Sequence, residues 1–596
     1  MTPDEISHSL LREAITGARR LLGEWNRIGY SKDAGSLGRD VWLYRLPAGF
    51  HPPTLQCAAY SLGRLFLFRH PDNPFYNSGR ILSALRSAVS FTRSLQHRDG
   101  SFPEWYPSQR SFCATSYITA YLSMILPDLG KNWAEAHRDW LFRAGRWISR
   151  NIRVESANQL AAAACGLHHL SRWEGGEEFG PGKSSATDLL LKAQHEEGWF
   201  PEYGGADLGY LSLTLDFLSR IRSRSPSPGI DSSILRGLEF LAAAVLPDGT
   251  VSSICSRRAT NFLMPFAIES LADLSPAAAV LRRKLLAGIS AGTLPTPSTV
   301  DPRYCAHLFL PSFVDAAIRE NVRVAPGNTR QGRAQADENS DTARVLPAAR
   351  MACFSSRGLH AVISASKGGA FQGFLEGEHP ISLYDAGYAI RVAGQWSLSS
   401  GPSEFLPDNG QALLKDSVLD IRVGGRGVSV PGLLLEPPGF LRTAVSLAGA
   451  IAGNIGMSDV WERCLKRAAF RDFPPSPFLF VRRIRMGEEG IHVEDRIRNP
   501  ALLRIDDFQT ASLPLPSAQP SSQFFTGSDL GWSFPLSVED SGRIAIILTE
   551  NGEILITRKI VREGSRWTAH GEAAGAPLQA GDDPGTASGH SEGKEP

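Results

Sequence analysis

The chain has 596 residues, of which 42% are hydrophobic and 12 are Trp, so it is long enough for several folded cores. Its 62 Lys and Arg residues almost balance its 61 Asp and Glu residues, and the formal net charge is +1. This balance excludes a global field that would recruit nucleic acid or an anionic membrane, so we expect no nucleic-acid partner.

The N-terminal segment, MTPDEISHSLLREAITGARRLL, predicts an amphipathic helix without the uninterrupted apolar core of a signal peptide. No later run approaches the ~18 uncharged apolar residues of a transmembrane helix. The seven cysteines include no CxxC pair, which is typical of reduced, buried thiols. These features predict a cytoplasmic protein without a membrane span.

Residues 1–324 alternate between helix and turn, and three junctions within them are alike. Their sequences are SFTRSLQHRDGSFPEWYP, LLLKAQHEEGWFPEYGG and LEFLAAAVLPDGTVSS. Helical hairpins that cannot bury their apolar faces alone stack side by side. The pattern therefore predicts an (α/α) toroid whose loops line a central cleft.

The segment QHEEGWFPEYGGADLGYLSLTLDFL joins a helix to an aromatic, Gly-rich turn and then begins a new helix. It brings two aromatic hydroxyls (Tyr203, Tyr210) and two carboxylates (Glu202, Asp207) to one helix N-terminus, where the helix dipole favours anions. This arrangement predicts an anion-facing site. The alternative is that the aromatic residues close the end of a helical hairpin and that Asp207 caps the next helix.

Two further segments of the helical region carry candidate site residues. Asn158 stands at the start of the helix SANQLAAAACGLHHLSRW, where an N-cap is the default explanation. His168 and His169 in the same helix are typical of surface or interhelical positions, and we assign no metal to them. Arg257 and Arg258 precede an apolar helix and could hold a carboxylate bidentately, or could be solvated surface charges.

The second half of the chain changes to a period of two. Residues 325–348 are polar and aperiodic and predict a linker, and residues 349–569 predict a large antiparallel β-sandwich with a helical insertion at 439–470. The TENGE turn predicts a hairpin in IAIILTENGEILITRKIV. The tail at 570–596 is predicted to be disordered.

The motifs EGWFPEYGGADLGYLSLTLDFL and SLYDAGYAIRVAGQWSLSSG, in a helical and a β region respectively, resemble the heparinase II/III-like family. Members of that family are similar in architecture to alginate and heparin or heparan lyases. The helical junctions also look like those of terpene cyclases and protein prenyltransferases. However, the chain has no DxDD or DDxxD motif, and the long β region has no place in those enzymes.

The resemblance implies a polysaccharide lyase that acts by β-elimination, in which Asn158, Tyr210 and His379 are catalytic and Tyr203 is the alternative to Tyr210. Asn158 and an arginine would stabilise the charge that develops on a uronate carboxyl group. Tyr210 and His379 would remove the proton at C5 and protonate the leaving oxygen at C4.

The implied partner is an acidic oligosaccharide or polysaccharide, and no cofactor or metal is expected. Aromatic side chains on turns suit sugar stacking, and charged side chains suit the carboxylate. The predicted substrate contacts are Trp105, Tyr106, Trp199, Tyr203, Asp207, Arg257 and Arg258.

Two alternative functions remain open at the level of the sequence. One is a toroid glycoside hydrolase with Glu104 and Glu202 as paired carboxylates, although their equivalent places in repeated junctions indicate a structural role such as bonding loop amides. The other is a catalytically degenerate glycan-binding protein of a polysaccharide synthesis system. Phe266 favours the latter, because the family has a polar pair after the preceding Pro.

Overall fold

The computed structural model describes residues 9–44, 50–255, 258–324, 342–377, 380–401, 403–406, 413–415, 418–430, 447–448, 451, 464, 474–511, 532–533, 538–563 and 566–574. The chain divides into two compact units. The helices from Ser9 to Val324 belong to the first unit, and the strands from Thr342 onward belong to the second.

The first unit consists of α-helices joined by turns and short 3-10 segments. The helices are α1 (Ser9–Gly23), α2 (Arg39–Tyr44), α3 (Ala58–Leu67), α4 (Gly79–Ser94), α5 (Phe112–Leu129), α6 (Lys131–Arg150), α7 (Ala157–Leu170), α8 (Gly180–Ala193), α9 (Leu208–Arg222), α10 (Pro228–Ala244), α11 (Pro265–Leu271), α12 (Pro276–Ala291), α13 (Pro302–Tyr304) and α14 (Leu310–Val324). A π-helix, Cys305–Phe309, joins α13 to α14.

Six of these helices contact one another in a closed cycle, in the order α3, α5, α7, α9, α11, α14 and back to α3. Each packs against one helix outside the cycle, respectively α4, α6, α8, α10, α12 and α1. Helix α1 therefore pairs with α14, which closes the ring of the described helices. The predicted (α/α) toroid is confirmed.

The composition of the helices explains which ones lie inside the ring. Helix α5 is buried without interruption from Ala114 to Leu126, as expected for a helix that is apolar on all sides. Helix α6, in contrast, buries a single stripe that includes Trp140, Leu141 and Ile148. A one-sided apolar stripe suits a helix that faces solvent on its other side.

A buried ion cluster fixes the closure of the ring. Asp315 of α14 accepts hydrogen bonds from the Tyr60 hydroxyl at 2.7 Å, from Arg64 at 3.0 Å and from Arg220 at 2.9 Å. These partners come from α3 and α9, so one carboxylate links three inner helices. Removing one member of such a cluster leaves an uncompensated buried charge.

Among its described residues, the second unit contains two β-sheets and one α-helix, α15 (Val538–Asn551). The strands are β1 (Thr342–Leu346), β2 (Met351–Ser356), β3 (Leu359–Ser364), β4 (Ala370–Leu375), β5 (Ile381–Asp385), β6 (Tyr388–Val392), β7 (Gln395–Leu398), β8 (Ser403–Phe405), β9 (Leu413–Lys415), β10 (Val418–Val430), β11 (Pro475–Gly487), β12 (Gly490–Arg498), β13 (Asp507–Thr510), β14 (Trp532–Ser533), β15 (Glu553–Glu563) and β16 (Arg566–Ala574). One sheet has the order β1-β2-β3-β4-β5-β14 and the other β13-β6-β7-β10-β11-β12-β15-β16, with β8 and β9 also paired to β10.

Both sheets contribute to one apolar core, as a sandwich requires. Phe354, Ile363 and Phe371 of the first sheet pack in the same cluster as Ile421 and Ile484 of the second. Among the described strands, the pairings are antiparallel except that of β14 with β5. The predicted antiparallel β-sandwich is confirmed.

The predicted hairpin around TENGE is wrong. IAIILTEN belongs to helix α15, in which Ile544 and Leu548 are fully buried and Ile546 is 58% exposed. Burial four residues apart is helical spacing. Gly552, with φ of 73°, ends the helix in the left-handed conformation that favours glycine, and β15 follows.

Some predicted boundaries also differ from the observed strands. Strand β1 begins at Thr342, inside the predicted linker at 325–348, and β16 runs to Ala574, beyond the predicted start of the tail at 570. The predicted insertion at 439–470 lies almost entirely outside the described residues. Across the described helices, none is long and apolar enough to cross a membrane.

The β-region motif SLYDAGYAIRV supplies a buried charge network rather than an exposed site. Asp385, at the end of β5, contacts Arg482 at 3.1 Å and Arg558 at 2.7 Å, and both arginines also pair with Asp495. The Tyr388 hydroxyl donates to Asp495 at 2.7 Å. Burial raises the pKa of Asp385, but the two arginines lower it by more, so the net shift of the pKa is downward. The motif thus joins the two sheets.

Candidate functional site

The junction turns of the toroid lie beside the N-termini of its inner helices. Phe102 forms an isolated β-bridge with Ser111, just before α5, and Glu202 forms one with Ser156, just before α7. The second bridge places the turn that precedes α9 against the start of α7. Side chains from several inner helices therefore meet at one end of the ring.

Glu202 is the buried anchor of this contact, with 1% of its surface exposed. Its carboxylate accepts hydrogen bonds from the Ser156 hydroxyl at 2.6 Å, from the Asn158 backbone N–H at 2.8 Å and from the Asn158 side-chain amide at 2.9 Å. Burial raises the pKa of Glu202 to about 7, against the opposing effect of these hydrogen bonds. Glu202 thus bonds a neighbouring helix start.

The expectation that Asn158 is an N-cap is wrong. The cap position of α7 is Ser156, and Asn158 lies in the first helical turn, 3% exposed. Its amide nitrogen donates to Ser156 at 2.7 Å and to Glu202, and its amide oxygen accepts from the Tyr117 hydroxyl at 2.8 Å. Because both amide hydrogens are donated within the protein, Asn158 must exchange a partner before it can donate to a substrate.

Asp207 caps α9, as one of the two interpretations of the sequence predicted. It is 1% exposed and accepts a hydrogen bond from the Tyr210 backbone N–H at 2.9 Å. Thr260 donates its hydroxyl to Asp207 and accepts from the Gly209 N–H at 3.0 Å. This pair fixes the first turn of α9. Tyr210 is placed by that turn, and its ring packs edge-on against Phe262 at 5.7 Å.

Arg258 is the half-buried cation of the site. Its guanidinium carbon lies 5.5 Å from the ring centroid of Tyr203 and 5.9 Å from that of Tyr210. Burial lowers the pKa of Arg258, but the nearby Tyr210, Tyr203, Tyr304 and Asp207 raise it and the net shift is upward, so the group is a permanent cation. The site therefore presents a positive charge between two phenols.

Two non-glycine residues with left-handed backbones adjoin this cation. Tyr203 has φ of 51°, and Ala259, next to Arg258, has φ of 49°. A non-glycine residue in this region costs of order 1–3 kcal/mol and persists only where its surroundings fix it. Such residues concentrate at functional sites. Two of the left-handed non-glycine residues thus lie close to Arg258, one next to it in sequence and one in contact with its guanidinium.

Two residues that the sequence analysis did not identify lie at the π-helix: Tyr304, which ends α13 just before it, and His307, which lies within it. The His307 ring lies 5.5 Å from Tyr304 and 5.5 Å from Tyr117, and its Nδ1 donates to the Arg303 carbonyl. Burial lowers the pKa of His307 to about 3, so its imidazole is neutral. Single-turn π-helices are frequent at functional sites, but DPRYCAHLF carries no periodic signal for one.

The first junction turn is attached to the π-helix region by an ion pair. Glu104 accepts a hydrogen bond from Ser111 at 2.6 Å and pairs with Arg303 at 2.9 Å. Beside it, Trp105 is 49% exposed, whereas Tyr106 is 8% exposed. Of these two aromatic side chains, Trp105 is therefore the one that a ligand can reach.

The remaining residues named in the sequence analysis include Trp199, Phe266, Arg257 and His379. Trp199 stacks on His195 with ring centroids 4.9 Å apart and donates its indole N–H to Glu197 at 2.9 Å. Phe266 packs over the Arg220 guanidinium at 4.6 Å and so serves the buried ion cluster. Predicted residues Arg257 and His379 lie outside the described residues.

The adjacent histidines of α7 have a structural environment. Burial lowers the pKa of His168 to about 4 and that of His169 to about 3, and His168 bonds the Thr187 hydroxyl at 3.0 Å. Within the described ranges, no group of three or more His, Cys, Asp or Glu side chains could hold a metal ion.

No family model and no curated protein matches this sequence. Among solved structures, the chain is similar to the chondroitin AC lyase of Streptomyces coelicolor A3 in complex with chondroitin sulphate, at 13% identity and a TM-score of 0.46, over 86% of this chain and 68% of that one. It is also similar to the heparan sulfate lyase HepC from Pedobacter heparinus, at 9% identity and a TM-score of 0.41, over 84% and 70%. A protein from Actinoplanes matches over 53% and 98%, at 14% identity and a TM-score of 0.32.

Proposed function

We propose that the helical unit carries a polysaccharide lyase site that cleaves a uronate-containing glycan by β-elimination. The observation that carries this proposal is the position of Arg258 between the rings of Tyr203 and Tyr210. A permanent cation beside two phenols provides both groups that an elimination needs. One group neutralises a carboxylate, and the other exchanges a proton.

The chemistry follows from that arrangement. Arg258 binds the uronate carboxyl group and stabilises the charge that develops on it as the C5 hydrogen leaves as a proton. Tyr210 takes that proton or delivers one to the oxygen departing from C4, and His379 is proposed for the other transfer. The electron pair of the C5–H bond forms the C4–C5 double bond as the C4–O bond breaks. Asn158 holds the start of α7 in place and can reach substrate by exchanging Ser156 or Glu202.

The contacts of the two junction glutamates weigh against hydrolysis by paired carboxylates. Glu202 is buried and accepts three hydrogen bonds from Ser156 and Asn158. Glu104 is engaged by Ser111 and Arg303. A hydrolase needs one carboxyl group as acid and another as base or nucleophile, both facing the glycosidic bond. Both glutamates instead hold the turns of the site together.

The proposal is tested with a panel of acidic oligosaccharides, monitored by ultraviolet absorbance. Elimination creates an unsaturated uronate that absorbs, whereas hydrolysis creates a reducing end without that chromophore. We expect absorbance to rise with at least one uronate-containing oligomer. New reducing ends without absorbance would contradict elimination and support hydrolysis.

Replacing Arg258 with Lys should raise KM on a uronate substrate by about 10- to 100-fold, the equivalent of ~1.5–3 kcal/mol for a charge-assisted hydrogen bond. The ammonium lacks the planar fork that binds a carboxylate bidentately. Steady-state kinetics of Arg258→Lys measures the effect. Arg80→Lys, at the exposed start of α4, is the matched control. Equal KM values for the two variants would remove Arg258 from the site.

A further inference from the structure

The outward face of the larger sheet in the second unit carries an unusual density of arginine. Along β11 and β12 the burial alternates strictly, with one set of side chains in the core and the other directed outward. We define the basic face by the outward charged residues of four adjacent strands. They are Asp420, Arg422 and Arg426 of β10, Arg483 and Arg485 of β11, His492, Glu494, Arg496 and Arg498 of β12, and Glu553 and Lys559 of β15.

The strand register places these residues in rows across the sheet. Asp420 lies opposite Arg485, which lies opposite His492, which in turn lies opposite Lys559. The next row begins with Arg422 opposite Arg483. Glu494 lies opposite Arg483 on its other side, so this row holds two arginines and one carboxylate.

Each of two acidic residues on the face is shared by two arginines. Asp420 accepts from Arg483 at 2.7 and 3.0 Å and from Arg485 at 3.0 Å. Glu553 lies 3.4 Å from Arg496 and 3.3 Å from Arg498. Each group of two arginines and one carboxylate keeps one net positive charge. The acids therefore orient the arginines without neutralising them.

The basic face is accessible to solvent at its centre and is more buried around Glu553, which is 4% exposed. The side chains of Arg483 and Arg485 are 34% and 43% exposed, and Arg426 and Lys559 are also exposed. Burial lowers the pKa of His492, and Lys559, Arg485 and Arg483 lower it further while Glu494 opposes them. The field over the centre of the face is positive, although the whole chain carries a net charge of only +1.

The spacing of the arginines suits a repeating anion. Adjacent strands are ~4.8 Å apart and outward residues recur every ~7 Å along a strand, so cationic groups recur over the face at polymer-like intervals. At the outward positions of β11 and β12, Leu479 and Val481 lie beside the charges, and the imidazole of His492 is the one aromatic ring among these positions. Single-stranded nucleic acid is held largely by stacking on aromatic rings, so these strands favour an acidic glycan.

We propose that the basic face is a secondary binding surface for a long acidic polysaccharide, separate from the site around Arg258. The choice of a glycan as the polyanion rests on the proposed function. The face would offer a polymer several arginines at once and so increase its local concentration. A short oligosaccharide meets few of these arginines and would gain little from the face.

The test removes charge from the face in the full-length protein. In Arg483→Gln/Arg485→Gln, we expect the Kd for polygalacturonate to rise at least ~10-fold. The slope of log affinity against log salt should fall by about one to two, since each lost ionic contact with a polyanion removes ~0.7–0.9 from such a slope. Binding of a galacturonate trisaccharide should not change. The matched control is Lys131→Gln/Arg146→Gln, which removes two exposed charges of α6.

Each outcome decides the proposal. A Kd and a salt slope equal to those of the control variant would overturn it, as would preferential binding of single-stranded DNA through the same arginines. If the variant fails to fold, Arg426→Gln/Lys559→Gln supplies the same comparison from exposed positions. Loss of polymer binding without any elimination activity in the native protein would overturn the proposed function and leave the basic face standing. Elimination activity together with unaltered polymer binding would overturn the basic face and leave the proposed function standing.

Discussion

Replacing Tyr210 with Phe should lower kcat by ~10²- to 10⁴-fold, the usual contribution of a general acid or base. The ring, its edge-on contact with Phe262 and the backbone bond to Asp207 all remain in the variant. The loss of a single hydroxyl should therefore cost about 1 kcal/mol of stability or less. Single-turnover kinetics, with circular dichroism as a check on folding, separates the two effects.

The matched controls for this variant come from the same chain. Tyr76→Phe removes a phenol that is 44% exposed and outside the site, and it should leave kcat unchanged. Tyr203→Phe tests the alternative phenol beside Arg258. If Tyr203→Phe is inactive and Tyr210→Phe is active, the proton-transfer role belongs to Tyr203. Full activity in both, together with an inactive Glu104→Gln, would replace elimination with hydrolysis.

The second large effect concerns Glu202 and pH. In the folded protein its pKa is about 7, against 4.5 for an unperturbed glutamate. Between these values the folded state keeps a proton that the unfolded state releases, so the stability of the protein falls as pH rises through this window. The shift corresponds to ~3 kcal/mol. Glu202→Gln mimics the protonated acid and should lack this pH dependence.

Urea unfolding at pH 5 and pH 8 measures this difference. We expect Glu202→Gln to be close to the native protein in stability at pH 5 and more stable than it at pH 8, a relative change of ~3 kcal/mol. Glu177→Gln, at the exposed start of a 3-10 helix, should show no such change. Parallel pH dependence of the native protein and Glu202→Gln would mean that Glu202 is ionised throughout.

The repeat in the sequence predicted much of this architecture because its signal is local. An apolar helix followed by a Gly-containing turn recurs, and the two junction glutamates were expected to bond neighbouring amides, as Glu202 does with the backbone of Asn158. The N-cap residue of α7 was not predicted because Ser156, at that position, bonds Glu202, which is distant in sequence.

Other features depend on contacts that no short window contains. IAIILTEN alternates well enough for a strand, but Ile544 and Leu548 find their partners in Tyr388 and Phe508, which favours the helix. The π-helix that contains His307 and follows Tyr304 extends one turn of a helix by a single residue, for which the sequence carries no periodic signal. The ring contacts between Arg258 and the two phenols arise only after the toroid forms.

The closed ring has a consequence for the order in which the protein folds. Helices α1 and α14 are far apart in sequence but pack against each other, and the bond from Tyr60 to Asp315 joins residues 255 positions apart. Contacts so distant in sequence form slowly, because the chain entropy lost in closing the loop comes before the contacts that reward it. The pair of Arg303 and Glu104, 199 residues apart, belongs to the same late step. We therefore expect the helices of a partly folded chain to form before the site around Arg258, which assembles with the last contacts of the ring.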